Sequence, residues 1–109
     1  APKIDMCNLD MGIPYFALVQ REASTKKFAV KVIRMTDDAV MYNLVPTAYN
    51  SSPLADGYYY NIGKGQWVTS NVINTFGMSE LIIWKSLQYA NVDAIYQRAK
   101  ARAKIKGYV

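Results

Sequence analysis

The chain has no histidine, and among its 109 residues there is one cysteine, Cys7. The first absence removes Ser-His-Asp and Cys-His pairs. It also removes the one side chain whose ordinary pKa suits a general base near neutral pH. One cysteine without histidine cannot build the usual zinc sets, and it cannot close an internal disulfide. Small secreted domains commonly carry several cysteines, so an intracellular, cytoplasmic setting is expected. No apolar run approaches the ~18–20 residues that span a bilayer, so no membrane partner is expected. The first residues, APKIDMCNLD, show no charged head leading into a long apolar stretch, which is the pattern of a secretory signal. Charged residues make up 19% of the chain against 51% hydrophobic, a composition that fills a core instead of remaining disordered. The length predicts a single domain over residues 1–109.

The acids do not assemble into an evident catalytic set. Asp37 and Asp38 are adjacent, so their side chains diverge, and a hairpin turn explains the pair better than shared chemistry. Asp5 and Asp10 lie near the start with no evident partner. Gly63-Lys64-Gly65 has the look of a phosphate loop, but it sits between two strand-like runs and reads as a tight turn. No enzyme, cofactor or metal site is expected.

The first half reads as strands. Pro14–Glu22 is rich in apolar and aromatic residues, and Ser24–Lys27 makes a polar turn. Phe28–Thr36 places Phe28, Val30 and Val32 on one face and Lys31 on the other. A turn at Thr36–Ala39 leads into Val40–Val45. Three such runs predict an antiparallel meander. Pro46–Gly57, with two prolines and two serines, reads as a loop. Tyr58–Ile62 and Gln66–Ser70 flank the glycine turn as a hairpin. The fold class expected is therefore α+β. It is a small antiparallel β-meander or partly open barrel of about five strands, followed by C-terminal helices.

The last third reads as helical. Ser70 can cap a short turn ended by Gly77. Ser79 can cap Glu80–Tyr89, although the four successive apolar residues Leu81–Trp84 also suit a buried strand. Asn91 can cap a final helix over about 92–106, with Asp93 well placed for the dipole and Gly107 closing it. At 100° per residue, Val92, Ile95, Tyr96, Ala99 and Ala103 share the docking face. Lys100 and Lys104 fall on one flank, and Arg98, Arg102 and Lys106 on the other. Gln97, Ala101 and Ile105 point away.

The charge is lopsided. The chain holds 13 Lys and Arg against 8 Asp and Glu. Residues 1–97 are neutral in sum, so the entire net charge of +5 sits in Arg98, Lys100, Arg102, Lys104 and Lys106. A solvated helix end accounts for part of this, because cationic stems cover apolar surface and cations suit a helix C-terminus. Yet Arg98/Arg102 and Lys100/Lys104 are like-charge pairs one turn apart, and no acid follows Asp93 to offset them. That pattern favours contact with a polyanion.

Three short stretches carry two resemblances to known motifs. Val72–Ile83 resembles a helix-turn-helix core, with Gly77 at the turn, but Ile73 is large for the helix contact. Leu81, Ile82, Ile83 and Trp84 are too apolar to line a groove. Residues 29–45 are similar to the strand–turn–strand core of small barrels of the Tudor or KOW kind. Residues 65–76 are similar to the strand and short helical turn that follow it. Such barrels commonly bind nucleic acid or proteins, and the resemblance assigns no site residue.

The expected function is a non-catalytic binding module that touches the nucleic-acid phosphate backbone, with little sequence preference. Arg98, Lys100, Arg102, Lys104 and Lys106 carry the charge. Lys64 and the same-face rings of Tyr58 and Tyr60 are additions. Buried, those tyrosines would be ordinary strand residues. The alternative is a protein–protein or assembly module: a homodimer, or a partner for an acidic protein surface, using the tyrosine strand and a sheet edge.

Overall fold

The computed structural model describes residues 8–48 and 77–109. Three strands form an antiparallel meander: β1 (Tyr15–Glu22), β2 (Lys27–Arg34) and β3 (Ala39–Ala48), in the order β1-β2-β3. A single turn of 3-10 helix at Tyr89–Asn91 opens directly into α1 (Val92–Ile105). The architecture is α+β with an open three-stranded sheet. The two further strands expected between Tyr58 and Ser70 lie outside the described residues, as do Lys64 and the short helical turn after Ser70.

Both hairpin loops are four residues long and end in a left-handed residue, Lys26 at φ 54° and Asp38 at φ 60°. Four-residue hairpin loops are commonly built around a type I turn, and aspartate tolerates the left-handed region better than most residues. Asp37 shapes the second loop. One carboxylate oxygen accepts from the Ala39 amide at 3.2 Å. The Arg34 guanidinium clamps the group in two bonds of 2.9 and 2.7 Å. β3 runs through Pro46, which the sequence places in a loop. The strand lies at a sheet edge, where a proline forfeits no ladder bond.

β1 and β2 pair in continuous register from Tyr15 opposite Arg34 to Glu22 opposite Lys27. This alternation turns Phe16, Leu18 and Gln20 towards α1. β2 is buried on both faces, since Val30, Val32 and Ile33 are all nearly inaccessible. That burial explains its almost continuous apolar run. The core beneath α1 is Leu18 with Val92 and Ile95, adjoined by Ile33 and Met35 with Tyr96. Phe16 belongs to both groups and meets the Tyr96 ring edge-on, with centroids 5.4 Å apart.

Residues 77–88 depart from expectation. Glu80–Tyr89 forms neither a Ser79-capped helix nor a buried strand, and the chain there is irregular up to the 3-10 turn. Leu81, Ile82, Ile83, Trp84 and Leu87 all remain exposed. Four successive apolar residues suit an element covered on both faces, and Leu81–Trp84 has no such cover here, so neither expected element forms.

The start of the helix also differs from expectation. Asn91 makes no side-chain cap, and its side-chain Nδ2 donates to Gln88 Oε1 instead. The 3-10 turn that leads into the helix is capped from the sheet. Gln20 Oε1 accepts from both the Gln88 and Tyr89 amides at 2.7 Å. The far end closes as the sequence predicts. Gly107 adopts φ 80°, its amide bonds the Lys104 carbonyl, and the Tyr108 amide bonds that of Ala103. This is a Schellman motif, and it requires a residue at ease at positive φ.

Candidate functional site

The five cations of the C-terminal segment do not share one environment. Docking of Val92, Ile95 and Tyr96 on the sheet fixes the rotation of α1, and that rotation aims each flank at a different part of the body.

On one flank, Lys100 reaches the β2–β3 loop. Its ammonium donates to Asp38 Oδ1 at 2.6 Å, and the Tyr96 hydroxyl donates to the same oxygen at 2.5 Å. The Lys100 side chain is only 16% exposed, so its stem packs on the body and its charge is spent internally. Together, first Lys100 and then Tyr96 hold the Asp38 carboxyl below its ordinary range. Burial, reinforced by Asp38, pushes the Tyr96 hydroxyl well above its usual value.

On the other flank, Arg102 grips Glu80 through two parallel bonds, Nε to Oε2 at 2.8 Å and Nη2 to Oε1 at 2.5 Å. Such a fork is the strong form of the Arg–carboxylate pair. It lowers the Glu80 pKa and raises that of Arg102. It also ties the irregular segment to the helix.

Arg98, Lys104 and Lys106 behave differently. All three are exposed, and among the described residues none has an acid within ion-pair distance. They surround an outward stripe of Ala94, Ala101 and Ile105, with Ile105 86% exposed. Arg98 and Lys104 lie six helical steps apart, or ~9 Å along the axis. The one acid of the helix, Asp93, lies at the opposite end and meets Lys31 at 3.3 Å.

The five cations therefore divide into two structural ones and three that face solvent. The sequence offers no local sign of this division. Asp38 and Glu80 lie 62 and 22 residues from their partners, so counting acids within the helix misses both. The remaining expected contributors, Lys64, Tyr58 and Tyr60, lie outside the described residues.

A second feature was not foreseen. A groove of about 660 Å³ opens between β1 and residues 79–88, with α1 as its floor. Its walls are mainly apolar. Gln20, reaching from β1 to the Gln88 amide, ties the two walls together at one end.

Among the described residues, no three His, Cys, Asp or Glu side chains converge as a metal site would require. No helix there is long and apolar enough to cross a membrane. No family description matches this chain, and no curated protein or solved structure is similar to it.

Proposed function

We propose that the chain is a small non-catalytic binding module that touches the phosphate backbone of nucleic acid through the outward face of α1. The observation that carries this reading is the set Arg98, Lys104 and Lys106, exposed and making no ion pair among the described residues. Small alanines between them allow a phosphate backbone to approach the helix closely. Lys100 and Arg102 are assigned to holding the fold, because their charges are already matched.

The reading makes a quantitative prediction. Three phosphate contacts to a duplex give log K falling with log salt at a slope of about −2.7, at ~0.9 per phosphate. The test is anisotropy of labelled single- and double-stranded oligonucleotides across a salt series. A variant with Arg98, Lys104 and Lys106 all changed to Gln is expected to lose binding and keep its thermal stability. Lys100→Gln with Arg102→Gln is expected to lower stability and leave the slope unchanged. Equal binding by the triple variant would reject the nucleic-acid reading.

A second reading, as a protein-interaction module, is favoured by a separate observation. Leu81, Ile82, Ile83 and Trp84 present a contiguous apolar surface beside a sheet edge, where a monomer ordinarily avoids exposing one.

A further inference from the structure

We infer that the groove between β1 and residues 79–88 takes an extended segment of a partner protein, apolar along its middle and acidic at its ends, as a strand added to β1. The inference deepens the protein-interaction reading and rests on it.

Three observations carry it. First, β1 is an edge strand, paired with β2 on one side and with no described strand on the other. Every residue from Tyr15 to Arg21 lines the groove. A groove above one face of a sheet would be lined by alternate residues. Seven in succession mean that the groove meets the strand edge-on, where backbone amides and carbonyls are presented. That edge is ~23 Å long at ~3.3 Å per residue, enough for a segment of similar length to pair along it.

Second, the opposite wall is apolar and accessible. Ile83 is 73% exposed and Leu81 58% exposed, and both line the groove. An added strand would send alternate side chains against this wall and burial of that surface would drive binding.

Third, charge selects the occupant. Lys85 and Lys106 line the groove, and neither makes an ion pair among the described residues, although Lys106 lies near enough to Glu80 to act on its charge. Glu80, the one acid in the lining, is already held by Arg102. A second copy of this chain carries +5 itself and matches this rim poorly. A phosphate backbone would lose its hydration against leucine and isoleucine with little return. An extended peptide with terminal carboxylates satisfies both the walls and the rim.

The test uses the intact protein and three labelled eight-residue peptides that alternate valine and threonine. One carries aspartate at both ends and one carries lysine at both ends. The third is the aspartate peptide, N-methylated at alternate amides so that one edge cannot pair. Binding is read by anisotropy, and amide exchange of β1 is followed in the free and bound protein. The aspartate peptide is expected to bind about tenfold tighter than the lysine peptide, since exchanging two repulsions for two exposed ion pairs is worth ~1.4 kcal/mol. It should slow exchange along β1. Because Ile83 is exposed, Ile83→Asp is expected to keep the fold and lose the peptide. Equal binding of the aspartate and lysine peptides, or of the N-methylated one, overturns the inference and leaves the interaction reading standing. No binding by any peptide overturns both. Slow β1 exchange in the free protein would then name the chain's own residues as the occupant.

Discussion

Asp38 shows how one side chain can decide the role of others. It sits at the left-handed end of a hairpin loop and accepts from Lys100 and Tyr96 on the helix. Asp37 beside it turns the other way, to Arg34 and the Ala39 amide, and is held down at about 2 chiefly by the Arg34 bond. Glu80 is lowered by Arg102 in the same sense. A carboxylate whose pKa is lowered on folding stabilises the fold above its unfolded value near ~4, and that contribution is lost as pH falls through the folded value. Thermal unfolding should therefore be insensitive to pH across the neutral range, where no histidine titrates, and should fall steeply between about pH 4 and pH 2. Asp37→Asn and Glu80→Gln should each flatten that acid limb. A melting temperature that falls in parallel for wild type and both variants would contradict the assignment.

The two kinds of element differed in how well they could be read. The strands and α1 announce themselves by period: alternating residues around Lys31 in β2, and 3.6-residue spacing of Val92, Ile95, Tyr96 and Ala99. Their bounds in the structure lie within a few residues of the expected ones, and Gly107 closes α1 as its conformational freedom predicts. Glu80–Gln88 was not legible, because the unbroken apolar run Leu81–Trp84 at its centre has no period from which to choose a structure. The helix cap was not legible either. Asn91 has the right chemistry for a cap, yet the helix is entered through a 3-10 turn one turn earlier, and there Gln20, 68 residues before Gln88, supplies the acceptor. The pairing of Lys100 and Arg102 escaped for the same reason, since a charge pattern on one helix carries no record of acids elsewhere in the chain. The cap makes a direct prediction at this scale. Gln20→Ala should cost about 1–2 kcal/mol, the usual price of two part-buried amides losing an acceptor, and should speed exchange at Gln88 and Tyr89. Gln20→Glu keeps an acceptor and should restore protection. Unchanged exchange in the alanine variant would remove Gln20 from this role.

For the whole molecule, charge and apolar surface are separated in space. Arg98 and Lys104 of α1 face outward, whereas Lys106 borders the groove on the side where α1 meets the β1 edge. This separation allows two partners of different chemistry to be tested independently. Substitutions at Arg98 and Lys104 alone leave the Ile83 wall and the Lys85 and Lys106 rim untouched, and Ile83→Asp leaves the outward face untouched. Each substitution thus serves as the other's control, and loss of both activities on either change would indicate a disturbed fold instead of a mapped surface.

The contacts that join α1 to the sheet span long stretches of chain. Tyr96 meets Asp38 across 58 residues and the Tyr89 amide meets Gln20 across 69, whereas the two hairpins close over four-residue loops. Local pairings form at low entropic cost, and closure over some sixty residues must wait for partners already in place. The meander is therefore expected to assemble first, with the helix docking after the rate-limiting barrier. In refolding and unfolding experiments across denaturant, Tyr96→Phe should leave the folding limb nearly unmoved and raise the unfolding rate. A slowed folding limb would place helix docking in the transition state itself.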